Sequence, residues 1–539
     1  YADTDDAHWT YLPAERPRSV DEVRLLLPQR SAGYYTYAVM MAGLVGVALL
    51  MVYVGGQVSV IVTDFLQGTM CNIVFAGLVL YFLCTMDWAH IASALSAAPA
   101  EASLINPFRT SQVEDFNFPY FLIGMIGMIY NTMSWQGTQA YNSSGRNAHE
   151  TKMAGILGSW RNFPRSTFLM LIPIVAITAM SHSTYEPVAS QVQTVLNTMD
   201  SEMIQSQMRT PLVLRFMLPP GLLGAFAAVM LAAFLSTHNT YLHSWGCILV
   251  QDVVLPFRRR PLSAKAHIAW LRVSIAAVAV FIYAFSLLFQ PSQHIYLFFA
   301  ITGAIFVGGS GAVIIGGLYW RRGTTAAAWA ALITGSGISV AGIILHELAR
   351  QNGTTFPING QWFWALSMAG ATLMYVLVSL LGPRRTFDLD RLLRRGIHAD
   401  PLPPATRPET ASLEFPAARD ASPRRFNFWR WIGAGREYTR GDRGILIMTY
   451  SWTLVCTAVF IIGTMRNLGH PRDQTEWLRY WQVYVWIFTG LSVAVTLWLA
   501  IGGVLDLRRM FRDLRELKRD DADDGTELRP KVSSREHTP

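Results

Sequence analysis

Two adjacent hydroxyl side chains in an apolar segment are the part of this chain best suited to bind an ion. Residues 221–252 read GLLGAFAAVMLAAFLSTHNTYLHSWGCILVQD, so Ser236 and Thr237 follow directly on a long apolar run. In a helix, the two hydroxyls and a nearby backbone carbonyl would cluster on almost one face. Hard cations such as Na⁺ prefer oxygen ligands of this kind. The alternative is that both hydroxyls only bond to carbonyls one turn earlier in the same helix.

A carboxylate stands inside a second apolar run. Asp64 interrupts the stretch VSVIVTDFLQGTMCNIVFAGLVLYFL, which is long enough to cross a membrane as a helix. A charged residue in such a helix is costly, and it usually faces a cavity, an ion pathway or a charged partner. The alternative is a purely structural hydrogen bond to a neighbouring helix.

A third segment mixes polar and apolar residues at what would be membrane depth. Residues 124–142 read GMIGMIYNTMSWQGTQAYN, and Asn131, Trp135 and Gln139 recur at i, i+4 and i+8. This spacing predicts one polar and aromatic helix face. The Gly-Thr pair in the segment weakens the helix, and transporters build solute sites at broken helices. The alternative is an interfacial tryptophan with ordinary contacts between helices.

Membrane helices must position these residues. The 539 residues are 52% hydrophobic and only 15% charged, which is too apolar for a soluble protein with one core. Apolar runs of about 20 residues, each long enough to span a bilayer, recur along the chain. Eleven spanning helices are predicted, at 34–54, 57–85, 119–136, 166–182, 221–251, 267–289, 294–319, 325–347, 361–382, 443–465 and 478–505.

The charges of the connecting loops predict how the chain is oriented. Basic loops alternate with acidic or neutral ones, and the positive-inside rule assigns the basic loops to the cytoplasm. The basic loops are 137–165, 252–266, 320–324 and 383–442. This pattern places residue 1 outside and the C-terminus inside a plasma membrane, which we expect to be a bacterial inner membrane. Because the net charge of +8 comes from such loops, no nucleic-acid partner is indicated.

The same patterns divide the chain into regions. We predict an external segment at 1–33, a membrane core at 34–382, a cytoplasmic linker at 383–442, two further spans at 443–505 and a charged cytoplasmic tail at 506–539. The chain opens with YADTDDAHW and lacks an initiator Met and a signal peptide, so we expect earlier helices to precede it. No phosphate loop, nucleophile elbow or paired-histidine metal motif occurs, and we expect no catalytic residues and no enzyme.

Four stretches of the chain share features with one known family. They are YVGGQVSVIVTDFLQG at 53–68, GTQAYNSSGRNAHETKMAGILG at 137–158, LPPGLLGAFAAVMLAAFLST with VQDVVLP within 218–256, and GGLYWRRGTTAAAWAALITG at 316–335. Together, and in this order, they resemble the sodium:solute symporter family, which includes sodium–glucose, sodium–proline and sodium–pantothenate transporters. The resemblance extends from about residue 34 to residue 382, with Ala327 where the family usually has glycine.

The resemblance implies a fold. It indicates an all-α polytopic membrane protein with a leucine-transporter-like core of two inverted five-helix repeats and about eleven spanning helices. In that arrangement, 34–54 corresponds to the fourth core helix and 57–85 to the fifth. The first three core helices are then expected to lie outside this chain.

The resemblance also implies an ion site. In the family, carbonyls of the first core helix and one carbonyl and two hydroxyls of the eighth hold sodium. The matching positions here are the Ala233 carbonyl and the Ser236 and Thr237 hydroxyls. Asp64 matches the fifth-helix aspartate, which is proposed to lie on the path of sodium release.

The resemblance further assigns a solute-contacting region. Asn131 and Trp135 fall where the sixth core helix contacts and gates the solute, and Gln139 follows one turn later. Neutral polar and apolar groups dominate this region, so a sugar, a nucleoside-like solute and a small organic acid all fit.

The predicted function is sodium-coupled import of a small solute by alternating access. A symporter-like membrane sensor without coupled transport is the alternative, and a membrane enzyme is a third class. Coupling to H⁺ instead of Na⁺ is less favoured by the Ser-Thr pair, because hydroxyls bind cations but do not titrate. The sequence leaves the solute, the stoichiometry and the oligomeric state open.

Overall fold

Every regular element in the described part of the chain is helical. The computed structural model describes residues 32–113, 115–131, 134–145, 147–199, 202–258, 262–288, 295–383, 387–393, 429, 432, 438–470 and 472–516. The α-helices are α1 (Ala32–Thr85), α2 (Trp88–Ser96), α3 (Phe118–Tyr130), α4 (Gln139–Asn142), α5 (Ala148–Arg161), α6 (Phe163–Ser181), α7 (Glu186–Leu196), α8 (Glu202–Met217), α9 (Pro220–Ile248), α10 (Ala264–Leu288), α11 (Ile295–Tyr319), α12 (Thr325–Gln351), α13 (Gly360–Leu381), α14 (Leu389–Leu392), α15 (Arg440–Gly469) and α16 (Gln474–Glu516).

The predicted membrane spans are present as helices. Within the described residues, nine helical stretches are long and apolar enough to cross a membrane. The 54-residue α1 contains two of the predicted spans, and the shorter apolar helix α3 occupies the position of a further one. The prediction of an all-α polytopic protein is confirmed.

A glycine divides α1 into its two predicted spans. Gly56 has φ 58° and ψ −157°, a backbone conformation that glycine adopts at little cost. Before this point, the Tyr34 hydroxyl donates to the Leu287 carbonyl at the end of α10, and Arg272, near the start of α10, lies over the Tyr53 ring. This half of α1 is therefore antiparallel to α10. The half after Gly56 packs on α6 through Phe75 and Leu78, and Asp64 in this half bonds to α9.

The predicted span at 119–136 is wrong at its C-terminal end. The helix α3 stops at Tyr130, and Trp135 has extended backbone angles, with φ −78° and ψ 113°. The end of α3 is anchored because the Tyr130 hydroxyl donates to the Gly308 carbonyl of α11 at 2.7 Å. The chain is thus irregular where the sequence predicted a continuous polar face.

The helices pack in two groups, and the broken segment contacts both of them. One group contains α11, α12 and α13, and α3 packs on α11 and α13. The other contains α1, α6, α9, α10 and α16. The short helical turn at Gln136–Thr138 and the following α4 pack on α9. The break after Tyr130 therefore joins the two groups.

The C-terminal spans extend further than predicted. The helix α16 runs to Glu516, past the predicted span end at residue 505. Most of the predicted external segment, linker and tail, including 1–31, 394–428 and 517–539, lies outside the described residues. The described end of the linker packs on the core, because Tyr438 lies in one apolar cluster with Met153 and Leu446.

Glycines allow α11 and α12 to approach at backbone distance. A Cβ atom placed on Gly335 of α12 would lie 2.6 Å from the Gly309 nitrogen and 2.8 Å from the Gly308 carbonyl carbon. These are backbone atoms, so no side chain can move aside to make room. Small residues at such contacts let membrane helices pack closely.

We predict that Gly335→Ala lowers the free energy of unfolding by about 1–3 kcal/mol, because α11 and α12 must move apart. Thermal unfolding in detergent, followed by tryptophan fluorescence, measures the change. Gly337→Ala is the matched control, since nothing lies within 4 Å of a Cβ at that position of the same helix. Equal melting temperatures for the two variants would contradict this packing.

Candidate ion and solute site

The Asp64 carboxylate is bonded to α9 through both of its oxygens. The Ser236 hydroxyl donates to Oδ1 at 2.8 Å, and the Thr240 hydroxyl donates to Oδ2 at 2.9 Å. All three side chains are partly buried. Hydrogen bonds to an ionised carboxylate are stronger than neutral ones and offset part of the cost of its burial. The carboxylate and the first predicted ion ligand are therefore neighbours.

The other two predicted ion ligands also lie close together. The Thr237 hydroxyl donates to the Ala233 carbonyl at 2.8 Å, which brings these two oxygens to one place on α9. This bond is the local one that the sequence offered as an alternative for both hydroxyls. It holds for Thr237, whereas Ser236 bonds across to α1. Thr237 is exposed, while Ala233 and Ser236 are partly buried.

Thr240 was missed by the sequence reasoning. It lies one turn after Ser236, so the two hydroxyls share a face of α9. That spacing is visible in the sequence, but it indicates a shared bonding partner only when Asp64 is known to lie opposite on the neighbouring helix.

Two of the three residues predicted to contact or gate the solute line one cleft. Asn131 and Trp135 belong to a cleft of about 600 Å³ between α3, α11 and α13. Aromatic and apolar groups dominate its lining, and none of the described lining residues is charged. The lining residues are Tyr120, Phe121, Gly124, Met125, Met128, Asn131, Trp135, Tyr296, Phe299, Ala300, Gly303, Ala304, Val307, Gln361 and Trp364.

Two polar atoms of this cleft's residues lack a hydrogen-bond partner within the described structure. The Asn131 Oδ1 atom is an acceptor, the Trp364 Nε1 atom is a donor, and both are buried. Gln361, by contrast, donates to the Tyr120 carbonyl at 3.0 Å. Buried polar atoms without partners are uncommon in native proteins, so these two are candidates for contacts with a solute.

Gln139 does not line the cleft. It lies on α4, where its side-chain oxygen accepts a 3.4 Å hydrogen bond from Asn142. The i, i+4, i+8 spacing put it on the face of Asn131 and Trp135 only if one helix continued through all three residues. Because α3 ends at Tyr130, that face does not form.

Trp135 connects the cleft to the helix that carries the hydroxyls. Its ring makes an edge contact with Tyr241 of α9, with centroids 6.0 Å apart, and Tyr241 directly follows Thr240. A Cβ on Gly137 would lie 2.6 Å from the Trp135 Nε1 atom, so the absence of a side chain at Gly137 makes room for the indole. The cleft and the Asp64 group thus share one continuous set of contacts.

A family model and a curated relative both match part of this chain. A model of the sodium:solute symporter family matches residues 26–335, more than half of the chain. An uncharacterized symporter of Cupriavidus necator is 30% identical over 195 residues, which cover 33% of this chain and 27% of that relative. This chain therefore matches about a quarter of the relative's length.

A solved structure of a Na⁺-coupled sialic acid symporter, in a substrate-bound outward-open state, is also similar. It has a TM-score of 0.43 and 17% sequence identity, and the match covers 65% of this chain and 68% of that one. The apolar helices, together with the family match, identify a multi-pass membrane protein. The chain belongs to the sodium:solute symporter family.

Proposed function

We propose that this protein imports a small solute by coupling it to sodium, and that the coupling ion binds on α9 beside Asp64. The observation that carries the proposal is the meeting of Asp64 with Ser236 at 2.8 Å, next to the Ala233 and Thr237 oxygens. A carboxylate, two hydroxyls and a carbonyl form an oxygen-rich group of the kind that hard cations prefer.

The hydrogen bonds leave these oxygens able to bind a cation. Ser236 and Thr237 use their protons to donate, so lone pairs of both hydroxyl oxygens remain available for Na⁺. The Asp64 charge lowers the cost of bringing a cation to this depth. In our proposal Ala233, Ser236 and Thr237 hold the ion, and Asp64 lies on its path toward the cytoplasm.

The solute would bind in the cleft beside Asn131 and Trp135. The unpaired Asn131 oxygen would accept a hydrogen bond from the solute, and the Trp364 Nε1 atom would donate one. Solute binding would then act on α9 through the Trp135–Tyr241 contact. Because the break after Tyr130 joins the two helix groups, it is the natural place for the movement that alternating access requires. Gln139, which lies one turn beyond the cleft, would follow this movement without touching the solute.

This proposal includes the membrane in which the protein lies and the side on which its C-terminus is found. The basic loops predict a plasma membrane of bacterial type with the C-terminus in the cytoplasm. The leucine-transporter-like repeats remain an expectation from the family resemblance. A solute sensor with the same fold would show ligand binding without coupled flux, and the flux experiments below separate the two functions.

Removing the hydroxyl of Ser236 or of Thr237 should weaken the binding of sodium during transport. We predict that Ser236→Ala and Thr237→Ala each raise the sodium concentration for half-maximal uptake by roughly tenfold or more, which corresponds to losing one contact to a charge. Uptake into proteoliposomes of the full-length gene product, measured across a sodium series, gives this concentration. Thr457→Ala on α15 is the control, because Thr457 makes the same local bond, to the Thr453 carbonyl, away from the site. Unchanged sodium dependence in both site variants would refute the assignment.

Changes in the cleft should affect the solute more than sodium. We predict that Asn131→Ala and Trp135→Phe raise the KM for the solute by roughly tenfold, because a hydrogen-bond acceptor or part of the indole is lost. The sodium concentration for half-maximal uptake at saturating solute should change less than twofold. Trp329→Phe is the matched control, since Trp329 is exposed on α12 and does not line the cleft. If the two variants change the sodium concentration for half-maximal uptake and leave the KM for the solute unchanged, the solute does not bind in this cleft.

A further inference from the structure

An arginine lies close to the helix face that carries Asp64. A Cβ atom on Gly68 would lie 3.0 Å from the Arg161 Nη2 atom and 3.2 Å from its Cζ atom. The guanidinium of Arg161, at the end of α5, therefore rests on the backbone of α1 in the space that the missing side chain of Gly68 leaves. Because Gly68 is four residues after Asp64, both lie on one face of α1.

Arg161 acts on Asp64 without being paired to it. Its charge is within electrostatic range of the Asp64 carboxylate, but among the described residues Arg161 forms no ion pair. Another acidic residue, Asp506 of α16, lines the same cavity as Arg161 and contacts Arg509 at 3.5 Å. Arg161 itself is exposed at the end of α5, so its charge reaches solvent while the guanidinium lies over Gly68.

A cavity gives Arg161 room to move. The space has a volume of about 360 Å³, is lined by residues of α1, α5, α15 and α16, and has Phe65, Gly68, Asn72 and Arg161 among them. Phe65 directly follows Asp64 in the chain. Arginine has a long, flexible side chain and is always protonated. Gly68 and Asp64 are four residues apart, a rise of about 6 Å along α1, which rotation of this long side chain can cover.

We propose that Arg161 is a tethered cation that competes with sodium for Asp64. When sodium is bound beside Asp64, the guanidinium stays in the cavity over Gly68. When sodium leaves, the guanidinium moves one turn along α1 and neutralises the carboxylate. This inference rests on the proposed function, because it assigns a role to the same ion path.

The physical reason for this exchange is that the Asp64 carboxylate is costly when no cation lies near it. After sodium departs, Asp64 keeps hydrogen bonds from Ser236 and Thr240, but no opposite charge from the described residues is in contact with it. An internal cation that replaces sodium lowers the energy of the empty state and so lowers the apparent affinity for sodium. Release toward the cytoplasm becomes easier, and rebinding on that side is disfavoured.

The test is the sodium dependence of Arg161 variants. Sodium binding to the purified full-length protein is followed by the rise in melting temperature across a sodium series, with choline replacing sodium at constant ionic strength. Arg161→Gln should lower the half-maximal sodium concentration by roughly three- to tenfold, the range expected for a partly screened charge. Arg161→Lys should stay within twofold of the wild type, because the charge is kept.

Arg165→Gln is the matched control, since Arg165 is exposed one turn later on α6 and does not line the cavity. If Arg161→Gln folds poorly, Arg161→Met replaces it. A structural role alone would lower the melting temperature without sodium and leave the half-maximal concentration unchanged, which would overturn the inference. So would Arg161→Lys behaving like Arg161→Gln.

The same measurement separates this inference from the proposed function. If Ser236→Ala weakens sodium binding and Arg161→Gln has no effect, only the role of Arg161 is refuted. If the wild type gains no sodium-specific stability, or if Ser236→Ala leaves it unchanged, the ion site itself is refuted.

Discussion

The Asp64 carboxylate constrains the arrangement of the two helices on which the proposed ion path depends. A charge in an apolar helix needs partners, and Ser236 and Thr240 of α9 supply them at 2.8 and 2.9 Å. These bonds fix the register of α1 against α9, because one residue of shift would turn the hydroxyls away from the carboxylate. The same bonds place Ser236, one of the predicted ion ligands, beside a negative charge. Packing between the helices and the proposed binding of a cation thus share this contact.

The interrupted segment after Tyr130 links the two groups of helices. Its first half is tied to α11 and α13, and its second half is tied to α9. Trp135 lies between them, lining the cleft on one side and touching Tyr241 on the other. A solute that contacts Trp135 in this cleft would therefore be linked through Tyr241 to α9, which carries the proposed ion site. Coupling between solute and ion needs a physical connection of this kind.

Much of the fold was predictable because membrane spans are set by length and hydrophobicity. The end of α3 was not, because the anchoring of Tyr130 on Gly308 depends on a distant helix. Within the site, the pairing of Ser236 and Thr237 was visible as a local pattern. The role of Thr240, the separation of Gln139 from the cleft and the position of Arg161 over Gly68 all depend on contacts between helices. Helical periodicity describes one helix at a time, and therefore none of these contacts could be derived from it.

The most direct test of the central claim is gradient-driven uptake into proteoliposomes of the full-length gene product. A pooled, isotope-labelled library of sugars, nucleosides and organic acids supplies the solute. Our account predicts that one class accumulates with an inward sodium gradient and does not accumulate when potassium replaces sodium at the same membrane potential and pH gradient. Accumulation that follows an inward proton gradient in sodium-free buffer would contradict a sodium site on α9.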